Sequence, residues 1–511
     1  MKANRYELPK GTLLGERETK TQRATAQLLT PAIWGIGIAL GCVLAWPLMA
    51  FQSMNLYAGF DNREAILDQA YLLSIVATTA TLAACGLFHK SFDRVLGSVL
   101  ARWVFPAGMA IGTLLILGAG APEAAGTAFA VGFGLATGVF SGLFLMNFGA
   151  VIGMLSIRQS AAAIAIGYLL SSVLFFAFLF FGQLEATLMC ASMGPVAAVF
   201  LFYGVSDLKM DKRQANSLPA QADPDDADKR QLHSLILAFG LTMLVAGASY
   251  ELSRTLYVQM GHFAAGTVTP YAVAQGAVTT LTAIGSIGVA LVLITSRGIK
   301  GPEVVYRLIT TFLLIGALLL PVPLLFPEVP AFVPLSIDVA AFQCLGMGMW
   351  ILIAGLCRRY QTSCLFAFGI IRAAWAAGPL VGMLVGRWLW YGVGLDVQGA
   401  FTAAATCVLL IVLVNNFVFT ERSLALALSI MPTDRKQRFQ DRCRAVIERY
   451  GLTEREGEVM IMFAKGRNLP YVQEELCLSK STVSTHRQHI YQKLGVHSAQ
   501  EMIDLIQEEK G

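Results

Sequence analysis

Charge is the scarcest feature of this sequence. Asp, Glu, Lys and Arg together make up 14% of its 511 residues, against about 25% in an ordinary soluble domain. That shortage excludes one large soluble domain, and it excludes a disordered chain, which needs high charge and low hydrophobicity. Nine cysteines are present, but no two have CxxC spacing, and the six histidines form no ligand cluster with them. A zinc site and a disulfide scaffold are therefore not expected, and the thiols read as free groups in apolar helices. A phosphate-binding loop, a kinase signature and a nucleophile elbow are also missing. No catalytic residue, metal or cofactor is expected, and the chain does not read as an enzyme.

What fills the space is apolar: 56% of residues are hydrophobic and the mean hydropathy is +0.61. Runs of about 20 residues with few charges mark membrane spans. They fall at 29–51, 69–88, 99–119, 124–148, 161–182, 186–206, 234–253, 268–294, 304–326, 333–356, 364–390 and 398–420. The end of the fourth is open, because 124–157 carries only Glu123 before it and no charge within. Residues 1–28 are polar, and the first run is too long for a signal-peptide core. A polar stretch with Pro219 and Pro224 divides the spans six and six, which suggests an internal repeat of the transporter type. The expected organisation is an N-terminal segment 1–28, a first six-helix bundle 29–206, a linker 207–233, a second bundle 234–420, an amphipathic connector 421–447 and a soluble module 448–511.

Lysine and arginine set the orientation. One set of alternate loops holds Lys90, Arg94, Arg158, Lys209, Lys212, Arg213, Lys229, Arg230, Arg297, Lys300, Arg358 and Arg359; the other holds Arg63, Arg254 and Arg387. The positive-inside rule places both termini in the cytoplasm and the chain in the cytoplasmic membrane. Arg435 to Tyr450 has helical apolar spacing at Phe439, Cys443, Val446, Ile447 and Tyr450. Its basic residues suit contact with anionic lipid.

The last sixty residues carry the sharpest pattern. Thr453 and Glu456 form a capping box that opens an apolar-periodic helix, closed by Gly466. A short helix over Pro470–Leu476 follows. Ser479 caps a third helix to Leu494, closed by Gly495, and Ser498 with Glu501 opens a fourth. On the third helix Val483, Ile490 and Leu494 face inward; Ser481, Ser484, Thr485, Gln488 and either Tyr491 or Gln492 face out. From Ser479 to His497 there are three basic residues, Lys480, Arg487 and Lys493, and no acid. A basic, polar second helix after a tight turn suits a DNA major groove. The fourth helix offers Met502, Leu505 and Ile506 as an apolar face on which two copies could pair.

This stretch resembles the bacterial LuxR/NarL-type helix-turn-helix. The matching positions are Leu452, Thr453, Arg455, Glu456, Glu458, Val459, Ala464, Gly466, Leu476, Ser479, Thr482, Val483, His486, Ile490, Lys493, Leu494 and Val496. The resemblance implies double-stranded DNA as partner, phosphate contacts from Thr482 and Lys493, and base contacts from Ser484, Thr485 and Gln488. The DNA-binding set is then Lys480, Ser481, Thr482, Ser484, Thr485, Arg487, Gln488 and Lys493. Two positions depart from the family: Ser484 stands where lysine is usual, and Gly457 stands inside a helix where arginine is common, at about 1 kcal/mol. The membrane part resembles the major facilitator superfamily in its six-and-six layout and in Phe92-Asp93-Arg94 with Gly97. The expected fold is all-α: a polytopic bundle of about twelve spans with a small four-helix LuxR-type module.

Charges inside spans are the ligand candidates. At about 1.5 Å per residue, Tyr250, Glu251, Arg254, Tyr271, Gln275 and Asp338 collect toward the outer half of the second bundle. Arg372, about 12 Å from the inner end of its span, reads as snorkelling to headgroups. Trp350, Trp375, Trp388 and Trp390 read as anchors or packing. The function expected is a one-component regulator, with a membrane bundle that senses a small molecule and a tail that binds promoter DNA. The alternative is a transporter with a regulatory tail.

Overall fold

The structure is a computed structural model that describes residues 30–96, 98–121, 123–155, 157–215, 226–259, 268–295, 300–326, 329, 332–359, 364–394, 396–418, 434–476 and 478–508. The described elements are helical, with no strand among the described residues. The chain divides into two compact units, Met1–Ile430 and Met431–Gly511.

Among the described residues the first unit holds twelve long helices: α1 Pro31–Phe51, α2 Arg63–Leu87, α3 Val99–Leu114, α4 Glu123–Ile152, α5 Ile157–Phe178, α6 Gln183–Ala215, α7 Asp226–Gln259, α8 Val268–Thr295, α9 Lys300–Leu318, α10 Phe332–Arg359, α11 Cys364–Arg387 and α12 Val397–Leu413. Helix is the form such apolar runs take in lipid, because it satisfies each backbone N–H and C=O within the segment. Among the described residues ten helices are long and apolar enough to cross a membrane, and the apolar stretches Gly276–Val292 and Val304–Leu318 stand where the eighth and ninth spans are expected. The open end of the fourth span falls at Ile152. The polar linker is shorter than its composition suggests. Helix α6 runs on to Ala215 and α7 begins at Asp226, because Lys, Arg, Gln, Met and Ala are good helix formers. Residues 216–225 lie outside the described residues.

The two halves repeat each other. In the first, α1 packs on α5 and α6, α2 and α3 on α4, and α3 on α6. The second shows the same pattern with every number raised by six: α7 on α11 and α12, α8 and α9 on α10, and α9 on α12. The halves meet where α2 lies on α11 and α5 on α8. Small residues permit the first of these crossings: a Cβ on Gly369 would lie 2.6 Å from the Gly86 Cα, so the two backbones touch directly.

The second unit has five helices: α13 Asp434–Arg449, α14 Glu454–Ala464, α15 Leu469–Leu476, α16 Lys480–Leu494 and α17 Ala499–Glu508. Thr453 and Glu456 make the expected box, with both bonds present. Gly466 and Gly495 take positive φ of 76° and 68°, the left-handed conformation glycine adopts without strain. At α17 the Ser498 hydroxyl accepts from the Glu501 N–H at 3.1 Å, while the Glu501 carboxylate accepts from the His497 N–H at 2.8 Å, one residue before the N-cap.

Two expectations change here. The basic segment taken as a connector is part of the tail's fold: Cys443 and Val446 are fully buried and share a core with Val459, Met460, Val472, Val483, Ile490, Met502 and Ile506. The second unit therefore includes α13, which packs as a further helix on the four expected over 448–511. The second change follows from the first. Met502 and Ile506, expected as a pairing face with Leu505, are 0% and 1% exposed, and Leu505 packs against the same core. Helix α13 covers the face that would otherwise be open. Gly457 gains a reason as well. A Cβ there would approach Ile447 Cδ1 to 2.8 Å, so the glycine lets α13 lie close on α14.

Candidate functional site

In the tail, Ser479 starts the recognition helix by accepting the Thr482 N–H at 3.1 Å. Helix α16 then turns Val483, Ile490 and Leu494 into the core. Its opposite face exposes Ser481, Thr482, Thr485, Gln488, His489 and Gln492. The choice between Tyr491 and Gln492 is thereby made: Gln492 is exposed and Tyr491 half-buried. His489 was missed in the sequence, although it follows Ser481 and Thr485 at helical spacing. Ser484 sits half-buried at the flank, as does Arg487, whose guanidinium lies 5.9 Å from the Phe463 ring.

Lys493, implied as a phosphate contact, is exposed and also has a partner within the tail. Its ammonium donates to Glu456 Oε2 at 2.7 Å and to the Gly451 carbonyl at 3.2 Å. The same carboxylate oxygen accepts the Thr453 N–H at 2.8 Å. One buried glutamate thus ties the start of α14 to the end of α16. Burial by itself would raise the Glu456 carboxyl, but the Lys493 hydrogen bond, the Thr453 bonds and the Lys493 charge outweigh it and hold it at about 2. Arg455 is also structural: Nη2 donates to the Leu476 carbonyl at 2.8 Å, satisfying the end of α15, and Nη1 pairs with Glu458 at 2.6 Å. Lys480 and Arg487 remain as the cations of α16 with no carboxylate partner among the described residues.

In the membrane unit a set of polar bonds joins the halves at the end where α1 and α7 finish and α2 begins. Tyr71 on α2 donates to Glu251 Oε2 at 3.0 Å. Arg254 donates to Glu251 Oε1 through Nε at 2.7 Å and Nη2 at 2.6 Å, and its guanidinium carbon lies 4.8 Å from the Tyr71 ring. Gln52, which caps the end of α1, donates to the Tyr250 hydroxyl at 3.0 Å, and Arg387 pairs with Asp68 at 2.8 Å. Glu251 and Arg254, expected to meet a ligand, are thus engaged in a latch between halves.

Behind this latch lies a cavity of about 230 Å³ between the halves. Tyr250 is the one member of the expected ligand group on its described wall. Asp338 lies elsewhere. It is fully buried, no cation pairs with it among the described residues, and its backbone presses on Gly316 of α9. Tyr271 and Gln275 fall on α8, with side chains outside the described residues. The wall holds two residues read differently in the sequence. Arg372 faces the cavity instead of the headgroups, and Trp375 stands beside it. Tyr250, Phe342 and Trp375 form a stack with ring centroids 4.7 Å and 4.1 Å apart. The Arg372 guanidinium lies 5.2 Å from each of the Trp375 and Trp350 rings. Residues 47 and 379, prolines that interrupt α1 and α11, also line the cavity.

Similarity to known proteins follows the same division. Residues 451–506 match the family described as bacterial regulatory proteins, luxR family. Over 65 residues, 12% of this chain, the sequence is 40% identical to an uncharacterized response regulatory protein, YgeK, of Escherichia coli (strain K12), and the match spans 44% of that protein. The human organic anion transporter MFSD10 (TETRAN) has a similar structure, with a TM-score of 0.50 at 14% identity over 75% of this chain and 98% of the transporter. A bacterial homologue of the iron transporter ferroportin, in an outward-facing state, gives 0.50 at 14% identity over 79% and 99%. The major-facilitator proton:xylose symporter XylE gives 0.50 at 14% over 76% and 94%. The chain is a multi-pass membrane protein with a major-facilitator fold and a C-terminal LuxR-family helix-turn-helix.

Proposed function

We propose that the chain is a one-component transcription regulator of the cytoplasmic membrane, with both termini in the cytoplasm. The membrane unit binds a small molecule, and the tail binds promoter DNA. The observation that carries this reading is the face of α16: Lys480, Ser481, Thr482, Thr485, Gln488 and Gln492 are exposed together with no acid among them. Such a face suits phosphate contacts for affinity and base-edge contacts for specificity. One module reads one half-site, and two are needed for a full operator. With the α17 face inside the tail's core, confinement of two chains in one membrane is the simpler source of pairing, since it raises their local concentration without a new contact.

The test is a transcript comparison between deletion and parent strains, followed by footprinting of the changed promoters with the purified protein. Protection should cover two half-sites about one helical turn apart. Lys480→Ala should weaken all sequences alike and reduce the salt slope by about 1. Gln488→Ala should relax preference at one base pair by about 1–3 kcal/mol. Binding indifferent to salt and to both changes rejects the reading. The transporter reading draws on the fold of the membrane unit, and uptake of a labelled candidate ligand into vesicles decides it.

A further inference from the structure

The cavity wall contains an unusual electrostatic situation. Arg372 is 9% exposed, its Nε has no hydrogen-bond partner, and no carboxylate pairs with it among the described residues. Among the described lining residues it is the one charged side chain. The half-buried Arg254 and Arg387 of the same unit each have an acid, at 2.6 Å and 2.8 Å. Two indole faces, Trp350 and Trp375, partly replace water around the guanidinium. They supply no counter-charge, and a buried unpaired ion costs several kcal/mol. An anion from outside the chain would complete the site, and arginine suits a planar carboxylate because its fork binds both oxygens.

The rest of the wall describes the body of that anion. The Tyr250–Phe342–Trp375 stack leads to the guanidinium along one side. Ser171, Ser172 and Thr282 line the cavity as well; the two serine hydroxyls donate to the Tyr168 carbonyl, which leaves their oxygens to accept from a polar substituent. The volume of about 230 Å³ lies below the roughly 300–1,000 Å³ of drug-sized sites, which favours a single ring with a short arm. We propose that the cavity takes a small aromatic carboxylate, its carboxylate held by Arg372 and its ring beside Trp375 and Phe342. This inference rests on the reading that the membrane unit binds a small molecule, and it names the class.

The experiment uses the full chain in lipid nanodiscs with benzoate, phenylacetate and 3-phenylpropionate, each beside its neutral primary amide. Binding is followed by the rise in unfolding temperature and by tryptophan fluorescence, for which Trp46, Trp350 and Trp375 are at or beside the cavity. At least one acid should bind at least about tenfold more tightly than its amide, since the amide leaves the buried charge unpaired. Arg372→Gln should remove the difference between acid and amide; Arg372→Lys should keep part of it. Without ligand, Arg372→Gln should unfold at the same temperature as the parent or higher, because an unpaired buried charge has gone. Oleate, a carboxylate from the membrane itself, should not displace the acid.

Equal binding of acid and amide, no binding by any of the three acids, or tighter binding of oleate overturns the assignment. So does a large loss of ligand-free stability in both Arg372→Gln and Arg372→Lys, which would make the side chain structural. Failure of the regulator reading shows separately: acid binding lost with Arg372→Gln, yet no promoter protection at any acid concentration, keeps this site and rejects the regulator.

Discussion

Glu456 in the tail and Asp338 in the membrane unit are both buried carboxylates, and their surroundings are opposite. Glu456 accepts from Lys493 and the Thr453 backbone and joins two helices. Asp338 has no cation paired with it among the described residues. Arg254 and Arg372 repeat the contrast among cations: the first is bonded to Glu251 three residues earlier on its own helix, the second faces a cavity between aromatic rings. The polar groups of the tail are used up in making its shape, so that its outward face alone is left for a partner. In the membrane unit the latch closes one end of the bundle, and Arg372 is left inside with its charge unanswered. A paired buried ion is a fixture of the fold; Arg372, unpaired at the cavity wall, is where the proposed carboxylate would bind.

The largest effect that would break this contrast is expected in the tail's core. Met502→Asp puts a charge where Cys443, Val446 and Ile506 pack, and should cost more than about 4 kcal/mol, enough to unfold the tail. Hydrogen exchange on the full chain should then show α13–α17 unprotected and α1–α12 unchanged. A tail that stays protected but no longer pairs would restore the apolar face of α17 as an interface.

Next in size is the latch. Arg254→Met leaves Glu251 buried without its cation and should cost about 3–5 kcal/mol, whereas Glu251→Leu with Arg254→Met should recover most of it. Thermal unfolding in lipid measures both. If the single variant unfolds like the parent, the intrahelical pair is not what keeps Glu251 in place for Tyr71 of the other half.

Glu456→Gln should cost about 1–2 kcal/mol, the range for a lost charged hydrogen bond at a helix cap. The pH dependence has a definite sign. The folded carboxyl is held at about 2, below its ordinary 4.5, so its contribution is complete above pH 4.5 and is lost as pH falls toward 2. Denaturant midpoints of the tail between pH 6 and pH 2.5 should fall more steeply in the parent than in Glu456→Gln; parallel curves would remove the Lys493 pairing from the account. Lys493→Met should behave like Glu456→Gln and leave the salt slope of DNA binding largely intact, in contrast to Lys480→Ala.

The smallest effect is Gly457→Ala. Alanine gains up to about 1 kcal/mol of helix propensity, while its Cβ meets Ile447 Cδ1 at 2.8 Å, the movable end of a side chain. The two terms should cancel to within about 0.5 kcal/mol in urea unfolding of the tail. A loss above 2 kcal/mol would mean that α13 cannot yield at all.

The six-and-six layout and the recognition helix were legible because both are written locally. A span is a run of apolar residues, since lipid allows no unsatisfied backbone. A capped helix is a threonine or serine, a glutamate three residues on and a glycine at the far end. Helix α13 was legible as an amphipathic helix but not as a member of the tail, since its periodicity says that it buries Val446 and not against what.

By itself the sequence determined the helices, their division into two halves and a soluble tail, and the polar face of α16. Only the tertiary structure decided what each charged group meets. Lys493 pairs with a carboxylate 37 positions away while staying exposed. Arg372, judged by depth along its helix, belonged with the headgroups; the packing of α11 against α2 and α7 turns it to the cavity instead. Depth follows from counting residues along one helix, but direction depends on which neighbours that helix packs against, and those neighbours lie far away in the chain.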